Sequence, residues 1–259
     1  MRASSALLAL CGLVLAGAAA AEDFHWQGRI PAGHDLEIRG INGDIDASLA
    51  PGAEADVVAT KRARHGDPAS VEIKVVERAG GVLICAVYPG RGPGHDECGG
   101  AKAGHERRDE NDVEVHFRAR VPRGVSLRAS TVNGGVQADG LEGPVDAETV
   151  NGDVRVAVAG SARAQSVNGS IRASLARATG SEPLEFQTVN GSIEVSLPAD
   201  VDADLRADTV NGSIDSDFPL ENRSSRRHPP QSARGRLGSG GRRLDLETVN
   251  GNVILRTLH

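Results

Sequence analysis

Six copies of one string constrain this chain more than anything else in it. Thr131–Val136, Thr149–Val154, Ser166–Ile171, Thr188–Ile193, Thr209–Ile214 and Thr248–Val253 all read [Thr/Ser]-Val-Asn-Gly-x-[Val/Ile]. Ile41-Asn42-Gly43-Asp44-Ile45 is a looser seventh copy. The asparagines fall at 133, 151, 168, 190, 211 and 250, so the steps are 18, 17, 22, 21 and 39 residues. The last step is about two ordinary ones, and a period near twenty marks a repeated β unit.

Asn-Gly between alternating apolar runs is a turn signal, because both residues tolerate positive φ. Before Asn151-Gly152, every second residue is apolar or a threonine: Val145, Ala147, Thr149. After it come Val154, Val156 and Val158, with Asp146, Glu148, Asp153 and Arg155 in the alternate positions. Period two places each set on one face of a strand. Each repeat therefore encodes two short half-buried strands around a corner.

Two all-β architectures fit: a β-solenoid, single-stranded and β-helix-like, with one ~20-residue Thr-Val-Asn-Gly repeat per coil, or an antiparallel β meander or sandwich. Like corners of a meander would lie roughly 10 Å apart, whereas solenoid coils stack at about 4.8 Å. Only the shorter spacing lets identical side chains touch, which explains why the whole string repeats and not merely its turn pair. The solenoid is the expected fold. Its corners are Asn42-Gly43, Asn133-Gly134, Asn151-Gly152, Asn168-Gly169, Asn190-Gly191, Asn211-Gly212 and Asn250-Gly251. The links on the opposite side, such as Gly140–Pro144 and Gly160-Ser161, vary in length and composition.

Residues 1–21 read as a signal peptide: Arg2, an apolar core Ala6–Val14, and the small-residue site Ala19-Ala20-Ala21. That implies export to the periplasm, the cell surface or the medium. No later segment reaches the roughly 20 apolar residues that span a bilayer. Residues 22–121 form a less regular β region, expected to cap the stack, and they hold Phe24, Trp26, Tyr88 and Phe117, four of the six aromatics. Cys85 and Cys98 are the two cysteines left after export, and they are expected to form a disulfide.

Residues 122–259 carry the repeats, interrupted by an Arg-rich insert at 219–243 with seven arginines against one acid, Glu221. Arg223, Arg226, Arg227, Arg234 and Arg236 are candidates for contact with anionic envelope polymers. The insert reads as a loop. Nucleic acid is a poor partner for an exported chain of net charge −6. Another surface protein is a second partner class.

The exported signal, the Cys-bearing strand that ends in Tyr88-Pro89, Val121-Pro122, the Thr-Val-Asn-Gly repeats and Leu237–Gly241 together resemble the bacterial putative-adhesin family of β-strand-repeat proteins, related to autotransporter adhesin head domains. The resemblance implies an envelope β-solenoid and carries no catalytic residues. The residues themselves point to a non-enzymatic scaffold or binding protein without a cofactor. The competing class is a carbohydrate-active enzyme acting on extracellular polysaccharide, which needs convergent carboxylates. The acids here are scattered, and the His95-Asp96-Glu97-Cys98 and His105-Glu106 cluster has no established metal-ligand spacing.

Overall fold

A computed structural model describes residues 23–89, 98, 112–176, 182–220, 222–223 and 231–258. The described chain is all-β apart from one short 3₁₀ turn at Pro68–Ser70. Its strands are β1 Phe24–Arg29, β2 Asp35–Arg39, β3 Ile45–Leu49, β4 Glu54–Arg62, β5 Glu72–Arg78, β6 Gly81–Val87 and β7 Glu114–Val121. Next come β8 Ser126–Ser130, β9 Val136–Leu141, β10 Val145–Asn151, β11 Val154–Val158, β12 Ala162–Asn168, β13 Ile171–Leu175 and β14 Leu184–Asn190. The last are β15 Ile193–Leu197, β16 Ala203–Asn211, β17 Ile214–Ser216, β18 Asn222–Arg223, β19 Gln231–Leu237, β20 Arg243–Asn250 and β21 Val253–Thr257.

They form two large, mostly parallel sheets, one ordered β1-β4-β7-β3-β9-β11-β13-β15-β21-β17 and the other β18-β19-β16-β20-β14-β12-β10-β8-β2-β6-β5. Each repeat gives the strand before its Asn-Gly pair to the second sheet and the strand after it to the first. We call such a strand pair a rung. Between rungs the pairing is parallel, so Thr149 lies beside Ser166 and Val154 beside Ile171. The meander considered from the sequence would have paired the repeats antiparallel. Antiparallel pairing is confined to the two ends, at β1-β4-β7, β5-β6 and β16-β19-β18.

The core is a narrow filling between the sheets, built from columns of like residues. Ile45, Val136, Val154, Ile171, Ile193, Val253 and Ile214 are in register on one sheet, and all are buried. On the other sheet, Leu127, Val145, Ala162, Leu184, Leu244 and Leu205 are equally buried. Burying such a side chain is worth ~1.5–3 kcal/mol, and every rung adds several. Aromatics gather at the β1–β7 end, where Phe117 is fully buried and Phe24 and Trp26 pack against the core.

The β2–β3 rung lies between the β8–β9 rung on one side and β6 and β7 on the other, which places the corner Asn42-Gly43 in the repeat stack. The order beyond β15 was not expected. At the other end the last rung, β20–β21, lies between β14–β15 and β16–β17. The 39-residue step therefore does not hide a missing corner. The chain passes over one place in the stack, makes β16–β19, and returns to fill it. The Arg-rich insert is corrected with it. Gln231–Leu237 is a strand that covers the edge of β16, with Ala233 and Leu237 buried and Arg234 and Arg236 exposed.

Candidate functional site

The corner edge is made by three ladders of side chains. The inner one is hydroxyl. Thr131 Oγ1 donates to the Gly43 carbonyl, Thr149 to Gly134, Ser166 to Gly152, Thr188 to Gly169, Thr248 to Gly191 and Thr209 to Gly251, at 2.8–3.0 Å. These hydroxyls are buried, and each ties one rung to the carbonyl of the next, worth roughly 1 kcal/mol apiece.

The second ladder is amide. Asn133 Nδ2 donates to Asn42 Oδ1, Asn151 to Asn133, Asn168 to Asn151, Asn190 to Asn168, Asn250 to Asn190 and Asn211 to Asn250, at 2.8–2.9 Å. All seven predicted corner asparagines are thus brought into one line.

The third ladder lies at the position after glycine. Asp44 Oδ1 accepts from the Gly135 N–H, Asp153 Oδ1 from Ser170, Ser170 Oγ from Ser192, Ser192 Oγ from Asn252, and Asn252 Oδ1 from Ser213. Sequence reasoning treated this position as free. The signal was present, because it holds only Asp, Gly, Ser or Asn in every copy.

The corner glycines are required for a reason other than the expected one. Gly43, Gly134 and Gly251 have φ of +116°, +152° and +159°, but Gly152, Gly169, Gly191 and Gly212 lie outside the positive-φ region. What they share is close approach. A Cβ on any of them would lie 1.8–2.3 Å from a backbone carbonyl oxygen of the adjoining rung, or for Gly43 from that of Val115.

On the outer face of the β10-bearing sheet, three further columns run beside the asparagines. The first is apolar: Val150, Val167, Val189, Val249 and Val210 are 37–46% exposed, side by side. The next is polar: Glu148, Gln165, Gln187, Glu247 and Asp208. Beyond it run Arg128, Asp146, Arg163 and Glu185, with Arg163 2.9 Å from Glu185. Burial pushes the Asp146 carboxyl up against the pull of Arg163 and Arg128, and one of its oxygens is buried without a hydrogen-bond partner. Burial also raises Glu148, helped by the charge on Asp146. On β2, two strands along the same sheet, burial works the same way on Glu37. There Arg78 and Arg39, each 2.5 Å away, outweigh it and hold the carboxyl below its usual range.

An open cleft of about 780 Å³ lies where the amide ladder meets the β1–β7 end, lined by Asn42, Asp44, Arg62, Arg64, Glu114 and His116 among others. His116 stands 3.6 Å from Asp44 and 3.5 Å from Glu114. No three His, Cys, Asp or Glu residues are grouped to hold a metal ion among the described residues. The His95–Glu97 and His105-Glu106 cluster lies outside them. Cys85 and Cys98 form the expected disulfide, with Cα atoms 5.7 Å apart, and the Cys98 carbonyl accepts from Arg39 Nη1 at 2.6 Å. Of the anion-contact candidates, Arg226 and Arg227 lie outside the described residues, and Arg223 is on β18. Arg234 and Arg236 stand exposed on β19, Arg236 at 3.4 Å from Asp204.

Residues 28–256 match the Toastrack DUF4097 family. The chain belongs to that family. Its fold is similar to a "putative cell adhesion protein" from Clostridium sporogenes, at 9% identity and a TM-score of 0.49, with 92% of this chain and 100% of that one covered. It is also similar to a "putative adhesin" from Bacteroides fragilis, at 12% identity and a TM-score of 0.38, covering 92% and 97%. No curated protein matches the chain.

Proposed function

We propose that this Toastrack chain is an exported β-solenoid of the cell envelope that serves as a non-enzymatic, adhesin-like binding scaffold. One observation carries the reading: seven corners are locked in register by interlocking ladders, so that among the described residues this edge offers the same few groups at rung after rung. Catalysis needs one place that differs from its neighbours, with a nucleophile or acid–base pair held at a distinct geometry. Binding to an extended partner needs the opposite, the same few groups offered many times over. Export is supported by the signal-like residues 1–21, which lie outside the described residues. Among the described residues no helix is long and apolar enough to cross a membrane.

The competing reading, a carbohydrate-active enzyme, draws on Asp146 and Glu148, whose carboxyls are both raised by burial. Incubating the purified protein with a panel of bacterial and plant polysaccharides separates the two. The expected result is no turnover. Release of oligosaccharides that is abolished by Asp146→Asn or Glu148→Gln would establish the enzyme instead.

A further inference from the structure

The valine column is an exposed apolar stripe on a face that is otherwise polar, and it is bordered by hydrogen-bonding groups on both sides. On one side stand Asn151, Asn168, Asn190, Asn250 and Asn211. On the other stand Glu148, Gln165, Gln187, Glu247 and Asp208. Five rungs share this arrangement without interruption, a length of about 19 Å at the usual strand spacing. Side chains two apart on one strand face are separated by roughly 6.6 Å, so the stripe and its polar border make a band about one sugar ring wide.

The amide ladder adds direction to this band. A carboxamide has two N–H donors and two acceptor lone pairs. Each interior asparagine uses one donor and one lone pair on its neighbours, and these residues are exposed. One donor and one lone pair are left on each, so the exposed edge offers one donor and one acceptor at every interior rung. On the opposite border stand the amides of Gln165 and Gln187, Gln187 giving one N–H to Glu185 at 2.9 Å, and the carboxylates of Glu148, Glu247 and Asp208, the last held by Arg206 at 2.7 Å.

We infer that this face, formed by the Val150–Val210 column and its two polar borders, binds an extended β-1,4-linked glycan lying along the stack, one sugar ring per rung. Such a glycan is a flat ribbon. Its ring faces carry axial C–H groups and are apolar, while its hydroxyl or acetamido groups project from the two edges, at an interval close to that of stacked strands. The apolar centre and polar borders of the protein face match that ribbon in chemistry and in repeat. An α-1,4-linked glycan curls into a helix and cannot keep register beyond one or two rungs. The same ribbon occurs in unsubstituted β-glucan and in amino-sugar polymers, and the two sources differ in whether an acetamido group meets the amide ladder. This inference rests on the binding-scaffold reading and gives it a ligand class.

The experiment is titration calorimetry of the purified full chain with cello- and chito-oligosaccharides of two to six sugars, and with maltohexaose as the α-linked control. Affinity is expected to rise with length and to level off near five sugars, with maltohexaose at least tenfold weaker. Preference for the chito- over the cello-series would identify the amino-sugar source, and the reverse the β-glucan. Val167→Lys with Val189→Lys alters only exposed side chains and is expected to cut affinity at least tenfold while leaving the circular dichroism and melting temperature in place. Gln165→Ala with Gln187→Ala provides a second variant that spares the apolar column, with a severalfold loss expected.

Binding that both double variants leave unchanged would overturn the assignment, as would equal binding of maltohexaose or no binding of any β-1,4 oligosaccharide at millimolar concentration. Concentration-dependent self-association that the valine variants abolish would overturn it too, by showing that the stripe is a protein interface. Each of those results leaves the scaffold reading standing. Cleavage of the bound oligosaccharides would refute the non-enzymatic reading and leave the face as the binding site.

Discussion

A Cβ placed on Gly191 would lie 2.0 Å from the carbonyl oxygen of Gly169 in the adjoining rung. The obstacle is backbone, which cannot rotate out of the way as a side chain can. Gly191→Ala is therefore expected to force two rungs apart and to destabilise the fold by about 1–3 kcal/mol, as overpacking does elsewhere. Gly160, whose Cβ would meet the Glu142 carbonyl at 3.0 Å, should tolerate alanine better, and Gly52, with nothing within 4 Å, better still. Thermal unfolding of the three variants should rank them in that order. Equal melting temperatures would refute the close-packed corner.

Asn168 donates to Asn151 and accepts from Asn190. Aspartate can accept but cannot donate when ionised, so Asn168→Asp would set carboxylate against the Asn151 carbonyl oxygen in the middle of the ladder. A loss of about 1–3 kcal/mol is expected at neutral pH. Much of it should return in acid, once the carboxyl is protonated and can donate again. A flat difference between variant and parent from pH 7 to pH 3 would show that the ladder contributes little.

Asp146 makes a sharper pH test. Its folded-state pKa is raised, chiefly by burial, so ionising it costs folding free energy. A raised carboxyl favours the fold fully below the unfolded pKa, and that advantage is lost as pH rises through the folded value. Asp146→Asn should therefore be more stable than the parent at pH 7, and the gain should shrink toward pH 4. Glu37 runs the other way. Its lowered carboxyl stabilises above the unfolded value and is lost as acid protonates it, so Glu37→Gln should destabilise at pH 7. Denaturant titrations at several pH values measure both.

The Cys85–Cys98 bridge closes a 13-residue separation, and its loss is expected to cost up to about 3 kcal/mol through the freedom regained by the unfolded chain. Cys98→Ser should lower the melting temperature and loosen the contact of Arg39 with the residue 98 carbonyl. Peptide mass spectrometry without reduction should find the two cysteines joined, and two free thiols would refute the pairing.

Contact with anionic polymers through the arginines at 223, 226, 227, 234 and 236 remains a separate proposal. Replacing all five with serine should lower retention on immobilised lipopolysaccharide, most visibly at low salt, since exposed charges are screened over about 8 Å at physiological ionic strength. Because Arg234 and Arg236 lie on β19 and not in a loop, this variant should also lose some stability. The single change Arg236→Ser, which removes the contact to Asp204, separates that contribution from binding.

Much of this was legible before any coordinates. The repetition of Thr, Val, Asn and Gly as a block required like residues to touch, and parallel stacking is the arrangement in which they do. Period-two patterning assigned Val145, Ala147 and Val154 to the core. What stayed hidden was order in the stack. Nothing local to Thr248–Val253 says that it lies between Thr188–Ile193 and Thr209–Ile214 and not beyond the latter, because the copies are nearly interchangeable and only the intervening chain decides. The β19 strand was obscured for another reason. Ala233, Gly235 and Leu237 alternate with Arg234 and Arg236 as a half-buried strand should, but the density of arginine and the flanking glycines and prolines read as a loop. The valine face was visible in every copy, though the sequence did not show that its neighbours form two polar borders.

The place of the β20–β21 rung bears on how the molecule can be made. The strands β16 to β19 pair with the rest of each sheet only through β20 and β21. A chain that folds in order from its N-terminus presents β14–β15 and then β16–β17 before the strands that must lie between them. Closing from one end like a zip therefore stalls at β15, and the gap closes only when residues 243–257 arrive. A product cut short before that stretch would not be a slightly shorter stack. It would carry an open parallel edge on one part and a detached hairpin on the other, both exposed to proteolysis. Assembly of this end thus depends on residues 243–257, which determine whether β16 to β19 hold.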